Sequence, residues 1–274
     1  MDRRELPIAV FDSGLGGLSV LRALRKELPQ EQFVYFGDSA NAPYGSRPTE
    51  EVRALTLHAL EALDRDPGCK AIVVACNTAT SAAIGALRQR FSDRPVIGIE
   101  PALKPAVDRH PGQKVLVLGT ETTLREAKFA ALLQKYADRA EIYPLPCPGL
   151  MEFVERGELD SPALTAYLAA LLAPCPAPAA VVLGCTHYPF LRPALARLLP
   201  EGTELLDGSA GTARETRRRL TEAGLLRESG EGACTLRSSS DDPALLPLAE
   251  RLLALPFDPR SASEGQRICD SAAK

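Results

Sequence analysis

Ala71-Ile72-Val73-Val74-Ala75-Cys76-Asn77-Thr78 reads as a buried strand that delivers a thiol and two small polar side chains at its carboxyl end. Ala180-Val181-Val182-Leu183-Gly184-Cys185-Thr186-His187 repeats that layout later in the chain. Near-continuous apolar, β-branched runs belong to strands covered on both faces, as in parallel sheets sandwiched by helices. The echo between the two segments points to two similar domains.

Moving outward, further strands are expected at Ile8–Phe11, Phe33–Phe36, Pro95–Ile99, Lys114–Leu118, Ala140–Leu145 and Glu204–Leu206. The two quoted segments supply strands at Ala71–Ala75 and Ala179–Leu183. Amphipathic segments lie between them at Leu18–Leu28, Thr49–Leu63, Ala79–Phe91, Thr122–Tyr136 and Ser209–Ala223. This alternation predicts an α/β fold: two similar domains, each a mainly parallel sheet flanked by helices. The polar tail after Phe257 is expected to be disordered.

Composition narrows the function classes. A formal net charge of −3, with no basic block, argues against nucleic-acid or membrane-surface partners. The stretch from Ser161 to Leu191 has no Asp, Glu, Lys or Arg and is long enough to suggest a membrane span. Pro174, Pro176 and Pro178 interrupt it, so the expectation is a helix over Ala163–Leu172, a proline-marked connection and a strand. The N-terminal apolar run is too short for a signal peptide, which predicts a cytoplasmic protein. Seven cysteines are an odd number, no C-x-x-C pair occurs, and the histidines are His58, His110 and His187. Neither a disulfide framework nor a structural zinc site is expected.

Two loops and two thiols carry the chemistry. Asp12-Ser13-Gly14-Leu15-Gly16-Gly17 follows the first strand and opens a helix, a place where backbone amides can meet an anion. With Asp38 at the end of the second strand it half-matches a dinucleotide fingerprint, but Ser19 stands where the third glycine belongs. A tight turn without a ligand is the alternative. The loop from Gly37 to Gly45, with Tyr44, suits the carboxyl edge of a sheet. Cys76 and Cys185 sit at carboxyl ends of strands, where open α/β sheets bind ligands. A thiol near a helix N-terminus or a cation can exchange protons near neutrality, although free cysteines are more often buried fillers. His187 is placed to help ionise Cys185, and Asp12 could do the same for Cys76, unless it only caps the following turn. Asn77, Thr78, Thr120, Thr123 and Thr186 are neutral hydrogen-bonding groups suited to a substrate with carboxylate and ammonium groups.

Taken together, Asp12 to Gly17, Pro43-Tyr44-Gly45, Cys76-Asn77-Thr78 and Gly184-Cys185-Thr186-His187-Tyr188-Pro189 strongly resemble bacterial glutamate racemases. The likeness runs in order from about Ile8 to Leu255 and includes Ile97-Gly98-Ile99-Glu100-Pro101 and Gly119-Thr120. It implies a PLP-independent isomerase with no cofactor and no metal, holding glutamate in an interdomain cleft with a cysteine on each side of its α-carbon. Cys76 would then handle the proton on the D-glutamate side and Cys185 that on the L-glutamate side, assisted by Asp12 and His187 respectively. Asp12, Ser13, Tyr44, Gly45, Asn77, Thr78, Thr120, Thr123, Thr186 and His187 would bind the substrate's polar groups. Glu155, after Cys147-Pro148, fits a glutamate that the family places there. The resemblance also implies a discontinuous first domain, 1–101 plus 208–257, and a second over 102–207, with 258–274 left as the tail. It implies D-glutamate production for peptidoglycan synthesis, glutamate as the small-molecule partner, and a homodimer as the candidate assembly. Glu126 and Phe129 depart from the serine and tyrosine more usual in that region.

The chemistry suits the residues. An amino-acid α-proton is far less acidic than a thiol, so the carbanion needs dense hydrogen bonding and excluded water. Two opposed thiols serve both faces of a planar intermediate where one base could not. A nucleotide-binding or dehydrogenase-like protein, and an aspartate or hydantoin racemase, are the readings that remain beside it.

Overall fold

The computed structural model describes residues 2–125 and 127–256. The 258–274 tail, Cys269 and Glu126 therefore lie outside the described residues. The chain begins β1 (Ile8–Asp12), α1 (Leu18–Glu27), β2 (Gln32–Gly37), α2 (Thr49–Arg65), β3 (Ala71–Val74), α3 (Asn77–Arg90) and β4 (Val96–Gly98). It continues through α4 (Leu103–Arg109), β5 (Lys114–Gly119), α5 (Glu121–Arg125), α6 (Ala127–Tyr136), β6 (Glu141–Pro146), α7 (Leu150–Glu155), α8 (Pro162–Leu172) and β7 (Ala180–Leu183). Then come α9 (Arg192–Leu198), β8 (Glu204–Asp207), α10 (Ser209–Glu222), β9 (Ala233–Ser238) and α11 (Leu245–Ala254).

The strands form two sheets, β4-β3-β1-β2-β9 and β6-β5-β7-β8, and every pairing is parallel. We call each sheet with its helices a lobe. The α/β expectation holds, and every expected strand is present. The strand β9 was not foreseen: it extends the first sheet from beyond the second one, pairing with β2 from Gln32↔Ala233 to Gly37↔Ser238.

Strand alternation distributes the core. Ile8 and Val10 face one way, while Ala9 and Phe11 pack with Val52, Leu60, Ile84 and Leu87 of α2 and α3 on the other. In the second sheet Val115, Val117, Ala180 and Val182 pack with α4 and α6, including Phe129. Leu116, Leu118, Val181 and Leu183 join Ile8, Val10 and the α1 leucines in one continuous core. The two lobes thus share an apolar interior, and burial of this kind is the main force holding them together.

The uncharged stretch 161–191 folds as α8, a turn, β7 and the turn after it, with Ser161 capping α8 through the amide of Leu164 at 3.1 Å. Among the described residues no helix is long and apolar enough to cross a membrane. The chain returns to the first lobe at Gly208, where an added Cβ would lie 2.2 Å from the Glu100 carbonyl oxygen. Only a bare Cα lets the outgoing and returning segments touch there. Beside it, buried Arg192 reaches the Leu205 carbonyl at 2.8 Å and the Asp207 carboxylate at 2.5 Å.

Candidate active site

In each sheet the strand order reverses beside a central strand, β1 in the first and β5 in the second, and such switch points open a crevice at the carboxyl ends. Cys76 follows β3, next to β1, and Cys185 follows β7, next to β5. Both thiols line one pocket between the lobes. Ser13, Tyr44, Gly45, Asn77 and Thr78 line it from the first lobe, and Thr120, Thr123, Thr186 and His187 from the second. Asp12 and Glu155 stand behind this lining, each bonded to a residue in it. Met151 and Gly184 also line the pocket. Neither is among the expected site residues, because a methionine on an apolar helix face and a glycine after a strand both look structural.

On the Cys185 side, His187 Nδ1 lies 3.6 Å from Sγ and Nε2 lies 2.6 Å from Glu155 Oε1. That same carboxylate oxygen accepts the Leu15 amide of the first lobe at 2.8 Å. Burial disfavours a charged imidazole, but the bonds to Cys185 and Glu155 outweigh it and hold the ring's pKa well above the usual value. Glu155 responds in the opposite sense: burial opposes its ionisation, yet the His187 and Leu15 contacts keep its pKa low. The result is a carboxylate–imidazolium–sulfur chain, with the ring between Glu155 and Cys185.

The Cys76 side is different. Cys76 caps α3, with Sγ accepting from the Ala79 amide at 3.4 Å and lying 3.6 Å from Ser13 Oγ. Burial first, and then the charge of Asp12, push this thiol up to about 12 despite those contacts. Asp12 is fully buried, and burial raises its own pKa against the opposing charge of His187. Its carboxylate accepts from the Gly14 amide at 2.9 Å and from Thr186 Oγ1 at 3.1 Å. Asp12 therefore acts on Cys76 through its field, while its hydrogen bonds brace the glycine turn and the opposite lobe.

Hydroxyl groups bridge the lobes at another edge of the pocket. Thr78 and Thr123 meet at 3.3 Å, Thr120 donates to Thr123 at 2.9 Å, and Thr122 donates to the Gly45 carbonyl. Tyr44 is anchored by donating to Asp38 at 2.5 Å. Asn77 Oδ1 is buried with no hydrogen-bond partner among the described residues. A lone buried acceptor is costly unless a donor arrives, and an ammonium group is such a donor.

The glycine loop is not a dinucleotide cradle in this structure. An added Cβ on Gly14 would lie 2.3 Å from Glu155 Oε1, and one on Gly16 would lie 2.3 Å from His187 Nδ1. The second lobe fills the space that a pyrophosphate would need. Asp38 is likewise committed to Tyr44 and Asn41. The nucleotide reading falls on this packing.

Paired lobes that bring a thiol each to a shared pocket define a racemase-like α/β protein. The sequence matches the Asp/Glu/Hydantoin racemase family over residues 16–216, and the chain belongs to that family. A glutamate racemase of Clostridium perfringens is 45% identical over 257 residues, covering 93% of this chain and 98% of its own length. The structure of glutamate racemase from Thermus thermophilus in complex with β-chloro-D-alanine superposes with a TM-score of 0.77 at 40% identity, covering 91% of this chain and 93% of that one. Escherichia coli glutamate racemase, in complex with L-glutamate and the activator UDP-MurNAc-Ala, gives 0.82 at 32% identity over 90% of this chain and 95% of that one.

Proposed function

We propose that this chain interconverts L-glutamate and D-glutamate through two opposed cysteines. The observation that carries the mechanism is the unlike pairing of the thiols lining one pocket. Cys185 has a cationic partner in His187, whereas Cys76 is held as a thiol by burial and by Asp12.

In the L-to-D direction the Cys185 thiolate removes the α-proton of L-glutamate and becomes a thiol. The electron pair left on the α-carbon then takes the proton of the Cys76 thiol from the opposite face, giving D-glutamate and a Cys76 thiolate. In the D-to-L direction the roles reverse. Between turnovers the protons redistribute, with His187 as the neighbouring relay at Cys185 and the Asp12 charge acting on Cys76 through its field. Asn77 Oδ1 is placed to accept from the substrate ammonium, while the threonine hydroxyls and backbone amides bind its carboxylates. Closing the lobes around the pocket strengthens these contacts by excluding water.

The proposed domains are 1–101 plus 208–257 and 102–207, and β9 supports this division by returning to the first sheet from beyond residue 208. The family relationship supports D-glutamate supply for peptidoglycan synthesis as the role of the reaction. The test is a chiral assay on L-glutamate and L-aspartate with no cofactor added, run on the wild type, Cys76→Ser and Cys185→Ser. Turnover of glutamate that is nearly lost in both folded variants is expected. Near-normal turnover in either variant would overturn the mechanism, and a preference for aspartate would overturn the substrate.

A further inference from the structure

The half-matched fingerprint of the first loop left Ser19 unexplained, and the structure gives it a task. Ser19, buried in the first turn of α1, places Oγ 2.8 Å from the Thr186 carbonyl oxygen across the lobe boundary and 2.9 Å from the Gly16 carbonyl. A serine has one hydroxyl proton for these two acceptors. The Gly16 carbonyl already receives the Ser19 amide at 3.0 Å. The Thr186 carbonyl is less well served: the donor three residues on in its turn would be residue 189, which is Pro189 and has no N–H. The next amide, Phe190, bonds the His187 carbonyl at 3.2 Å instead. Ser19 therefore satisfies a carbonyl that the Thr186–His187 turn cannot satisfy by itself.

That carbonyl belongs to the peptide whose nitrogen is His187. Rotating the peptide swings the imidazole that faces Cys185. The same loop meets His187 twice more: the bare Cα of Gly16 packs on Nδ1, and the Leu15 amide shares Glu155 Oε1 with Nε2. We propose that Ser19 is a positioning residue, which clasps the Thr186–His187 peptide from the opposite lobe and so sets the Cys185–His187 pair when the cleft is closed. This rests on the two-thiol reading above.

The test separates it from a general loss of stability. Turnover of 2-deuterated L-glutamate and of 2-deuterated D-glutamate is compared with that of the protiated substrates for the wild type, Ser19→Ala and Gly16→Ala. If Ser19 acts on the Cys185 side alone, proton transfer at Cys185 becomes slower and more rate-limiting. Ser19→Ala then lowers kcat about tenfold, the loss of one good hydrogen bond to a buried carbonyl. The isotope effect rises with L-glutamate, whose deuterium goes to Cys185, and falls with D-glutamate, whose deuterium goes to Cys76. Gly16→Ala, which crowds His187 directly, shows the same opposed shifts, and Ser19→Thr, which keeps the hydroxyl, restores the wild-type pattern. Isotope effects that stay unchanged or move together in Ser19→Ala overturn the proposal. The Cys76→Ser and Cys185→Ser variants report separately on the two-thiol reading, so the two failures can be told apart.

Discussion

Replacing Glu155 by glutamine removes one charge while keeping an oxygen where it is needed. In the native protein Glu155 Oε1 accepts from Leu15 at 2.8 Å and from His187 Nε2 at 2.6 Å, and His187 is almost fully buried. A glutamine can retain both bonds, so the change reads the charge. An opposite charge in contact shifts the pKa of its partner by about 1–3, and a neutral amide keeps only the hydrogen bond. Because the Glu155 side chain is partly exposed, the low end applies, and the His187 pKa should fall by about one, or about 1.4 kcal/mol. Cys185 needs the cationic ring, so turnover from L-glutamate falls as pH rises through that pKa. In Glu155→Gln the descending alkaline limb of kcat/KM should therefore move about one pH unit toward acid. Above it, activity should be about tenfold lower. The same pair predicts where stability is lost. The Glu155 pKa is lowered on folding, so its contribution is present above its ordinary 4.5 and fades in acid; that of His187 is raised, so its contribution is present below 6.5 and fades in base. The stability gap between wild type and Glu155→Gln should be widest between those values. A pH–rate profile that superimposes on the wild type would mean that the Glu155 charge does not hold the His187 ring cationic.

Two structural predictions follow from packing. Lys70 and Glu31 form a buried ion pair at 2.6 Å, with Lys70 also donating to the Arg4 carbonyl and Glu31 accepting from the Arg227 amide. Lys70→Met should cost about 3–5 kcal/mol in denaturant unfolding by leaving a buried carboxylate unpaired, and Glu31→Leu added to it should recover much of the loss; a cost below about 1 kcal/mol would contradict this. Gly208→Ala should lower stability by about 1–3 kcal/mol, because its Cβ would press on the Glu100 carbonyl, and thermal unfolding should show the loss. An unchanged midpoint would mean that the crossing of the two connecting segments is looser than it looks.

The strands that carry the chemistry were legible because they are apolar on both faces, as β1, β3 and β7 remain in the folded protein. The edge strand β9 was not: in Ala-Cys-Thr-Leu-Arg-Ser no position is fully buried, and the apolar run that marked the others is missing. Short helices such as α4, α7 and α9 also escaped, since a few residues cannot show a helical period. Thr122–Tyr136, expected as one helix, contributes to α5 and α6. Asn77 and Thr78, expected before the third helix, form its first turn because the Cys76 side chain caps it. Within the site, residue types at strand ends were visible, but which group sits behind which was not. Asp12 and Glu155 act through bonds that join positions far apart in the chain, and only the folded geometry reveals those partners. Glu155 was reached by resemblance alone.

The mechanism needs two opposed thiols, and isotope incorporation reads whether two bases or one handle the α-proton. Protiated L-glutamate is converted in deuterium oxide, and both enantiomers are recovered early in the reaction. Two opposed bases predict D-glutamate carrying deuterium at the α-carbon while unreacted L-glutamate remains protiated. D-Glutamate that retains the substrate's own hydrogen would show a single base serving both faces, and the two-thiol mechanism would fall.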